Sequence, residues 1–214
     1  MSYTLYLSPG TASMAVHWTL IELGVPFETV KLDFEAGAQR DPAYLKLNPM
    51  GRVPTLMVDG APYSESAALL MLLTERHPEA GLAPNPGQPQ RAQWLQTLVY
   101  LANTVSPAMR DWFYADKDGE PAGADAVRDL ARRRIESAWP RLAGDLSDGR
   151  AFLFGAKPGA IDFQAAMLMR WSRNMAHPAN EQPALAAYLG RMAGLPSYAE
   201  LCRREGLTPW PAAS

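Results

Sequence analysis

Tyr3, Leu5 and Leu7 alternate with Thr4 and Tyr6 near the start of the chain, and Ser8-Pro9-Gly10 follows as a turn signal. The two-residue period predicts a strand over 3–7. The apolar spacing then lengthens. Ala15, Trp18, Leu20 and Ile21 fall on a helical repeat that runs from Ser13 to Leu23 and stops at Gly24. Further strands are predicted over Phe27 to Leu32, Thr55 to Val58 and Ala61 to Tyr63, the last two joined by the hairpin turn Asp59-Gly60. A short helical stretch from Pro42 to Leu47 leads into the turn Asn48-Pro49-Met50-Gly51, and an apolar helix from Ser66 to His77 closes the segment. The order β-α-β, then β-β-α, suits a small mixed sheet covered by helices.

After His77 the pattern changes. Pro78, Pro84, Pro86 and Pro89 with Gly81 and Gly87 make a linker rather than an element. Beyond it only helical periods remain, over Gln90 to Tyr114, Ala124 to Leu146, Ile161 to Met175, Ala184 to Met192 and Tyr198 to Arg204. The chain therefore reads as an α/β domain over 1–80, a linker over 81–89 and an all-helical domain over 90–214. Its 214 residues lie between one and two domains at a typical ~150 residues each, and the pattern decides for two unequal ones.

Composition removes several function classes. With 48% hydrophobic and 20% charged residues the chain has ample material for a core, so wholesale disorder is excluded. Twenty Lys and Arg stand against 22 Asp and Glu, a net charge of −2, without the basic surplus of a nucleic-acid binder. Arg128, the run Arg132-Arg133-Arg134 and Arg141 are interleaved with Asp125, Asp129 and Glu136, which reads as a solvated or interface face. Cys202 is the only cysteine, which excludes an internal disulfide, a CxxC redox pair and a thiolate zinc site. His17, His77 and His177 lack metal-ligand spacing, so no metal is expected. No leader pattern opens the chain, and no stretch approaches the ~20 apolar residues of a membrane span. A cytoplasmic protein with no membrane partner is the expectation.

Three stretches could carry chemistry. In Asn48-Pro-Met-Gly-Arg-Val-Pro-Thr-Leu56 a proline opens a strand, which can leave the Val53 backbone free to pair with an extended peptide. An ordinary proline-initiated strand is the plainer reading. Tyr63-Ser64-Glu65-Ser66 enters a helix whose N-terminal N–H groups suit a carboxylate, with Glu65 able to accept from an ammonium. Alternatively, Ser64 or Ser66 is simply an N-cap. The loop Ser8-Pro9-Gly10-Thr11-Ala12-Ser13 follows the first strand, where open sheets bind ligands, and its hydroxyls could hydrogen-bond a thiolate. Turn formation and capping are their common roles.

Taken together, these stretches resemble the cytosolic glutathione S-transferase family, in its bacterial beta-like branch. The resemblance rests on Leu5-Tyr-Leu-Ser-Pro-Gly10, Leu23-Gly-Val-Pro-Phe-Glu28, Asn48 to Leu56, Ser64-Glu-Ser-Ala-Ala68, and Tyr188-Leu189 through Pro196 to Glu205-Gly206-Leu207. It implies a thioredoxin-like first domain, a helical-bundle second domain, a cis peptide before Pro54, glutathione as co-substrate and a homodimer. Val53 would pair with the cysteinyl backbone of glutathione, and Glu65 and Ser66 would hold its γ-glutamyl end. Arg52 stands where members often have Gln. Ala12 stands where beta-like members carry a cysteine, Gln96 where they have Asn, and Asn103 where they have an active-site His. The Ser-x-x-Asp capping box of the helical domain reads Gly159-Ala160-Ile161-Asp162, which keeps only its Asp half.

On this resemblance the reactive sulfur is the ligand's own. A thiol with a pKa of about 8.5 is barely ionised at neutral pH, and lowering it by about two units takes roughly 2.7 kcal/mol. One hydrogen bond to a charged group contributes ~1.5–3 kcal/mol and a helix N-terminus ~0.3–1. A single hydroxyl therefore suffices. Ser13 is the expected donor, Ser8 and Thr11 its rivals, and Tyr6 on the strand a weaker candidate. A small apolar electrophile would sit against Asn103, Met109, Trp112 and Phe113, with Tyr100 and Trp171 nearby, although any one such residue at helical spacing is more often core. The same scaffold could serve a glutathione-dependent isomerase or peroxidase, or a non-catalytic glutathione-binding or assembly protein.

Overall fold

The computed structural model describes residues 2–211. Strands β1 (Tyr3–Leu7), β2 (Glu28–Lys31), β3 (Thr55–Val58) and β4 (Ala61–Ser64) form one sheet in the order β2-β1-β3-β4. β1 and β2 are parallel and are joined through helix α1 (Met14–Leu23), because a parallel pair needs a crossover. The other two pairings are antiparallel. Along β1, Tyr3, Leu5 and Leu7 are buried while Thr4 and Tyr6 are half-buried, as the alternation predicts. β2 is an exposed edge strand and is shorter than its apolar signal suggests. Phe27 turns away to meet His17 edge-on at 5.6 Å, while the Leu32 N–H still donates to the Leu7 carbonyl at 2.8 Å.

Helix α1 is buried on every side, Met14 to Leu20 without interruption. Its outer face meets the helices of the second half of the chain. Trp18 stacks on Phe163 and lies against Tyr198, both at 4.8 Å between ring centroids, and its indole N–H donates to Ser197 Oγ at 2.9 Å. One apolar core thus runs from the sheet into the helical region. Beyond α2 (Pro42–Leu45) and α3 (Ser66–Arg76), that region contains α4 (Arg91–Tyr100), α5 (Ser106–Asp118), α6 (Ala124–Asp145), α7 (Ala160–Trp171), α8 (Pro183–Ala193) and α9 (Pro196–Glu205).

The single helix predicted over Gln90 to Tyr114 is broken. Pro107 has no N–H for the Asn103 carbonyl four residues back, and the backbone takes a π-helical turn over Leu101–Val105 before α5 resumes. The lost half of the capping box at α7 has an equally local cause. A Cβ at Gly159 would lie 2.6 Å from the Leu82 carbonyl, which accepts from the Ala160 N–H at 2.9 Å. Serine does not fit there. Asp162 keeps its half by accepting from the Gly159 N–H at 2.8 Å.

On α6 Arg128, Arg132, Arg133 and Arg134 are matched by carboxylates. Arg128 pairs with Asp116 at 2.6 Å and Arg132 with Asp129 and Glu136 at 2.6 and 2.8 Å. Among the described residues, no helix is long and apolar enough to cross a membrane.

Candidate functional site

Strand register brings the three candidate stretches together. Tyr6 lies opposite Thr55, and Thr55 lies opposite Ser64. Continued past the strand ends, the same registers set Ser8 beside Val53 and Glu65 beside Pro54. The Ser66 hydroxyl closes the group by donating to the Ala12 carbonyl at 3.0 Å. All three stretches therefore meet at one end of the sheet.

The Val53–Pro54 peptide is cis. Its approach is held by a network that sequence reasoning did not single out. The Tyr44 hydroxyl and the Asn48 side-chain amide both donate to the Arg52 carbonyl, the latter at 2.8 Å. Both also reach Thr55 Oγ1, at 2.8 and 3.1 Å. Burial raises the Tyr44 phenol above its usual pKa, so it remains a donor. Asn48 was visible inside the motif, but nothing in the sequence singles out Tyr44. The Val53 side chain is buried against Leu32 and Tyr44, whereas its backbone N–H and C=O have no partner among the described residues. The Arg52 side chain is exposed.

Glu65 has φ +71°, an uncommon conformation for a non-glycine residue and costly by roughly 1–3 kcal/mol. It stands immediately before α3 without capping it, so the first turn of α3 keeps its N–H groups and the positive end of its dipole for another partner.

In the first loop the three hydroxyls are not equivalent. Ser13, the expected donor, is completely buried, and its Oγ donates to the Ser8 carbonyl at 3.1 Å. That hydroxyl is turned inward, away from the surface of the loop. Thr11 is half-buried; its Oγ1 also donates to the Ser8 carbonyl, at 2.7 Å, and lies 3.0 Å from Ser13 Oγ. With the Thr11 N–H at 3.3 Å, three donors converge on one carbonyl that has two lone pairs. One hydroxyl is surplus, and Thr11 is the one with access. The Ser8 hydroxyl makes no hydrogen bond among the described residues.

Gly10, at φ +70°, is gripped from both sides by the helical region. Its N–H donates to Glu205 Oε2 at 2.7 Å, and its carbonyl accepts from the Trp171 indole at 2.8 Å. The other Glu205 oxygen is 2.7 Å from His17 Nδ1, and both side chains are buried. These two residues are 188 positions apart, so the pair had no sequence signal. Cys202 lies buried on α9, where burial pushes its thiol up and away from reactivity.

Of the residues expected to face a second substrate, some form a cluster and others do not. Phe113 meets Trp112 edge-on at 4.9 Å and Trp171 edge-on at 6.2 Å, so the rings connect to the Gly10 clamp. Phe113 is 40% exposed. Met109 is fully buried and packs in the core. Asn103 is exposed on the π-helical turn, a distortion frequent at functional sites. The Tyr100 ring is covered by the Arg141 guanidinium at 3.6 Å.

A mixed four-stranded sheet with a cis-proline turn before its inner strand β3, followed by a helical region that grips the loop after β1, defines a thioredoxin-like, two-part ligand-binding protein. A family model for the glutathione S-transferase N-terminal domain matches residues 1–73. The chain is 28% identical to glutathione S-transferase GST-4.5 of Xanthomonas campestris pv. campestris over 207 residues, 95% of this chain and 98% of that one. It is 38% identical to a maleylacetoacetate isomerase of Pseudomonas aeruginosa over 171 residues, 75% of each chain. A sphingomonad glutathione S-transferase solved in complex with glutathione is 30% identical, with a TM-score of 0.83 over 96% of this chain and all of that one. The chain belongs to the glutathione S-transferase family.

Proposed function

We propose that the protein is a glutathione transferase that binds glutathione at this end of the sheet and activates its thiol for attack on a small apolar electrophile. The observation that carries this reading is the unpaired Val53 backbone, set by register between the hydroxyl loop and the start of α3. An extended peptide can pair with that free backbone before β3, and its cysteine would then lie beside Thr11 and Ser8. Glu65 and the first turn of α3 take the ammonium and carboxylate of the γ-glutamyl end. Residues 1–80 supply the glutathione site, 81–89 the linker and 90–214 the second-substrate surface around Trp112, Phe113 and Trp171.

The chemistry follows from the donors. The thiol proton leaves to solvent as Thr11 turns its hydroxyl from the Ser8 carbonyl to the sulfur. Ser13 stays behind to satisfy that carbonyl. The thiolate then forms a bond to the electrophilic carbon while the leaving group departs with its electron pair. Ala12 cannot form a mixed disulfide, so the ligand's sulfur alone reacts.

Calorimetry with glutathione is expected to show binding. Thr11→Ala should raise the bound thiol's pKa by about one to two units, the loss of one hydrogen bond to a charged group. A larger effect from Ser8→Ala would transfer the role to Ser8. No heat at millimolar glutathione would reject the reading, and binding without turnover of an activated aryl halide would leave only a binding role.

A homodimer fits the exposed apolar side chains. Met50, Tyr63 and Val99 are 66%, 49% and 47% exposed, the first two from the sheet half and the third from α4, which allows the first half of one subunit to meet the second half of its partner. Met50→Glu is expected to lower the mass measured by light scattering from two chains to one. A location in the cytoplasm, where glutathione is abundant, goes with this activity.

A further inference from the structure

Beyond α9, residues 207–210 have no regular secondary structure, yet they are bound back onto the fold at both ends. At the near end Leu207 lies over Gly10, where an added Cβ would sit 3.4 Å from Leu207 Cδ2. At the far end the Tyr198 hydroxyl donates to the Trp210 carbonyl at 2.9 Å and accepts from the Trp210 N–H at 3.0 Å. Between them the Thr208 carbonyl accepts from Arg170 Nη2 at 2.8 Å. Leu207 and Trp210 pack against the main core, and Trp210 lines a void of about 10 Å³ with Met14 and Trp18 of α1.

Arg170 is only 6% exposed and pairs with no carboxylate among the described residues. Its guanidinium is bonded instead to the Thr208 carbonyl and, at 3.3 Å, to the Tyr198 hydroxyl. A buried charge without an opposite charge depends on such acceptors, and hydrogen bonds to a charge are the strong ones. Arg170 also precedes Trp171, whose indole N–H holds the Gly10 carbonyl at 2.8 Å. The segment therefore reaches Gly10 by two routes, directly through Leu207 and through Arg170 and Trp171 on α7. Thr11 is the next residue, and its hydroxyl can meet a sulfur only while the loop backbone stays in place. On the proposed glutathione reading, we infer that residues 207–210 form a strap positioning the first loop, with Tyr198 as its latch. The strap sets how fully Thr11 activates the bound thiol, and Tyr198 and Leu207 are positioning residues.

Two variants of the full chain test this. Tyr198→Phe keeps the ring against Trp18 and removes the latch, whereas Leu207→Ala keeps the latch and removes the contact on Gly10. Thiolate absorbance is titrated against pH with glutathione saturating. In each variant the bound thiol should be about threefold less ionised below its pKa, which is a rise of about half a unit. Turnover of an activated aryl halide should fall by the same factor. The KM and calorimetric Kd for glutathione should stay within about twofold, because Val53 and Glu65 lie on other elements. Lost stability alone would lower the melting temperature without moving the titration of the folded complex. An unmoved titration therefore overturns the inference, and Leu207→Ala decides alone if Tyr198→Phe does not fold. A loss of affinity as large as the loss of turnover also overturns it, since the strap would then shape the whole site. A wild type that gives no heat with glutathione rejects the glutathione reading and the strap together. A wild type that binds, with variants that titrate as it does, rejects the strap alone.

Discussion

Glu205→Ala is expected to cost about 3–5 kcal/mol of folding stability, the range for breaking a buried pair by removing one partner. The substitution strands two groups. The Gly10 N–H loses its acceptor at 2.7 Å, and His17 Nδ1 loses its partner at the same distance, while His17 Nε2 already has none among the described residues. His17 cannot turn to water, since it lies on the fully buried stretch of α1. The same change frees the first loop from α9, so the bound glutathione thiol should also become less acidic. Glu205→Gln separates these effects, because its amide can still accept from Gly10. Urea unfolding followed by circular dichroism measures the first effect, and thiolate absorbance titrated against pH measures the second. Equal midpoints for wild type and Glu205→Ala would show that the clamp contributes nothing.

What could be read in the sequence divides along physical lines. Strands β1, β3 and β4 follow from two-residue alternation and one hairpin turn, both local properties. Val53, Pro54, Glu65 and Ser66 could be named because their chemistry is carried by short stretches. Their convergence also follows from register, which the apolar faces determine. The Gly10 clamp could not be anticipated, because Glu205 looks like one more polar residue near the end of α9. Position at the start of α1 favours Ser13 over Thr11 in the sequence, because burial is not legible there. The break at Leu101–Val105 had a visible cause in Pro107, but a proline early in a helix is often tolerated, so the period alone could not place the interruption.

Asp162 combines a large mutational effect with a pH dependence whose sign follows from its surroundings. Its carboxylate accepts from the Leu153 N–H at 2.9 Å, the Gly159 N–H at 2.8 Å and the Tyr188 hydroxyl at 2.9 Å. Asp162→Ala leaves three donors without an acceptor, two of them buried, and at roughly 1–3 kcal/mol for each buried group a loss of about 4 kcal/mol is expected. Complete burial lifts the carboxyl from 3.8 to about 6 even though those donors pull it down. The folded protein therefore holds this proton over a range in which the unfolded chain has released it. Its contribution to stability is full below about pH 4 and declines by up to ~3 kcal/mol as the pH rises to about 6, above which it is constant. Burial holds the Tyr188 phenol well above its usual pKa, so the partner does not titrate in this window. Asp162→Asn has no proton to exchange. The difference in unfolding free energy between wild type and this variant should therefore vary between pH 4 and 6 and be flat above. A difference constant across the whole range would mean that the buried carboxyl keeps an ordinary pKa, with its three donors offsetting the desolvation in full.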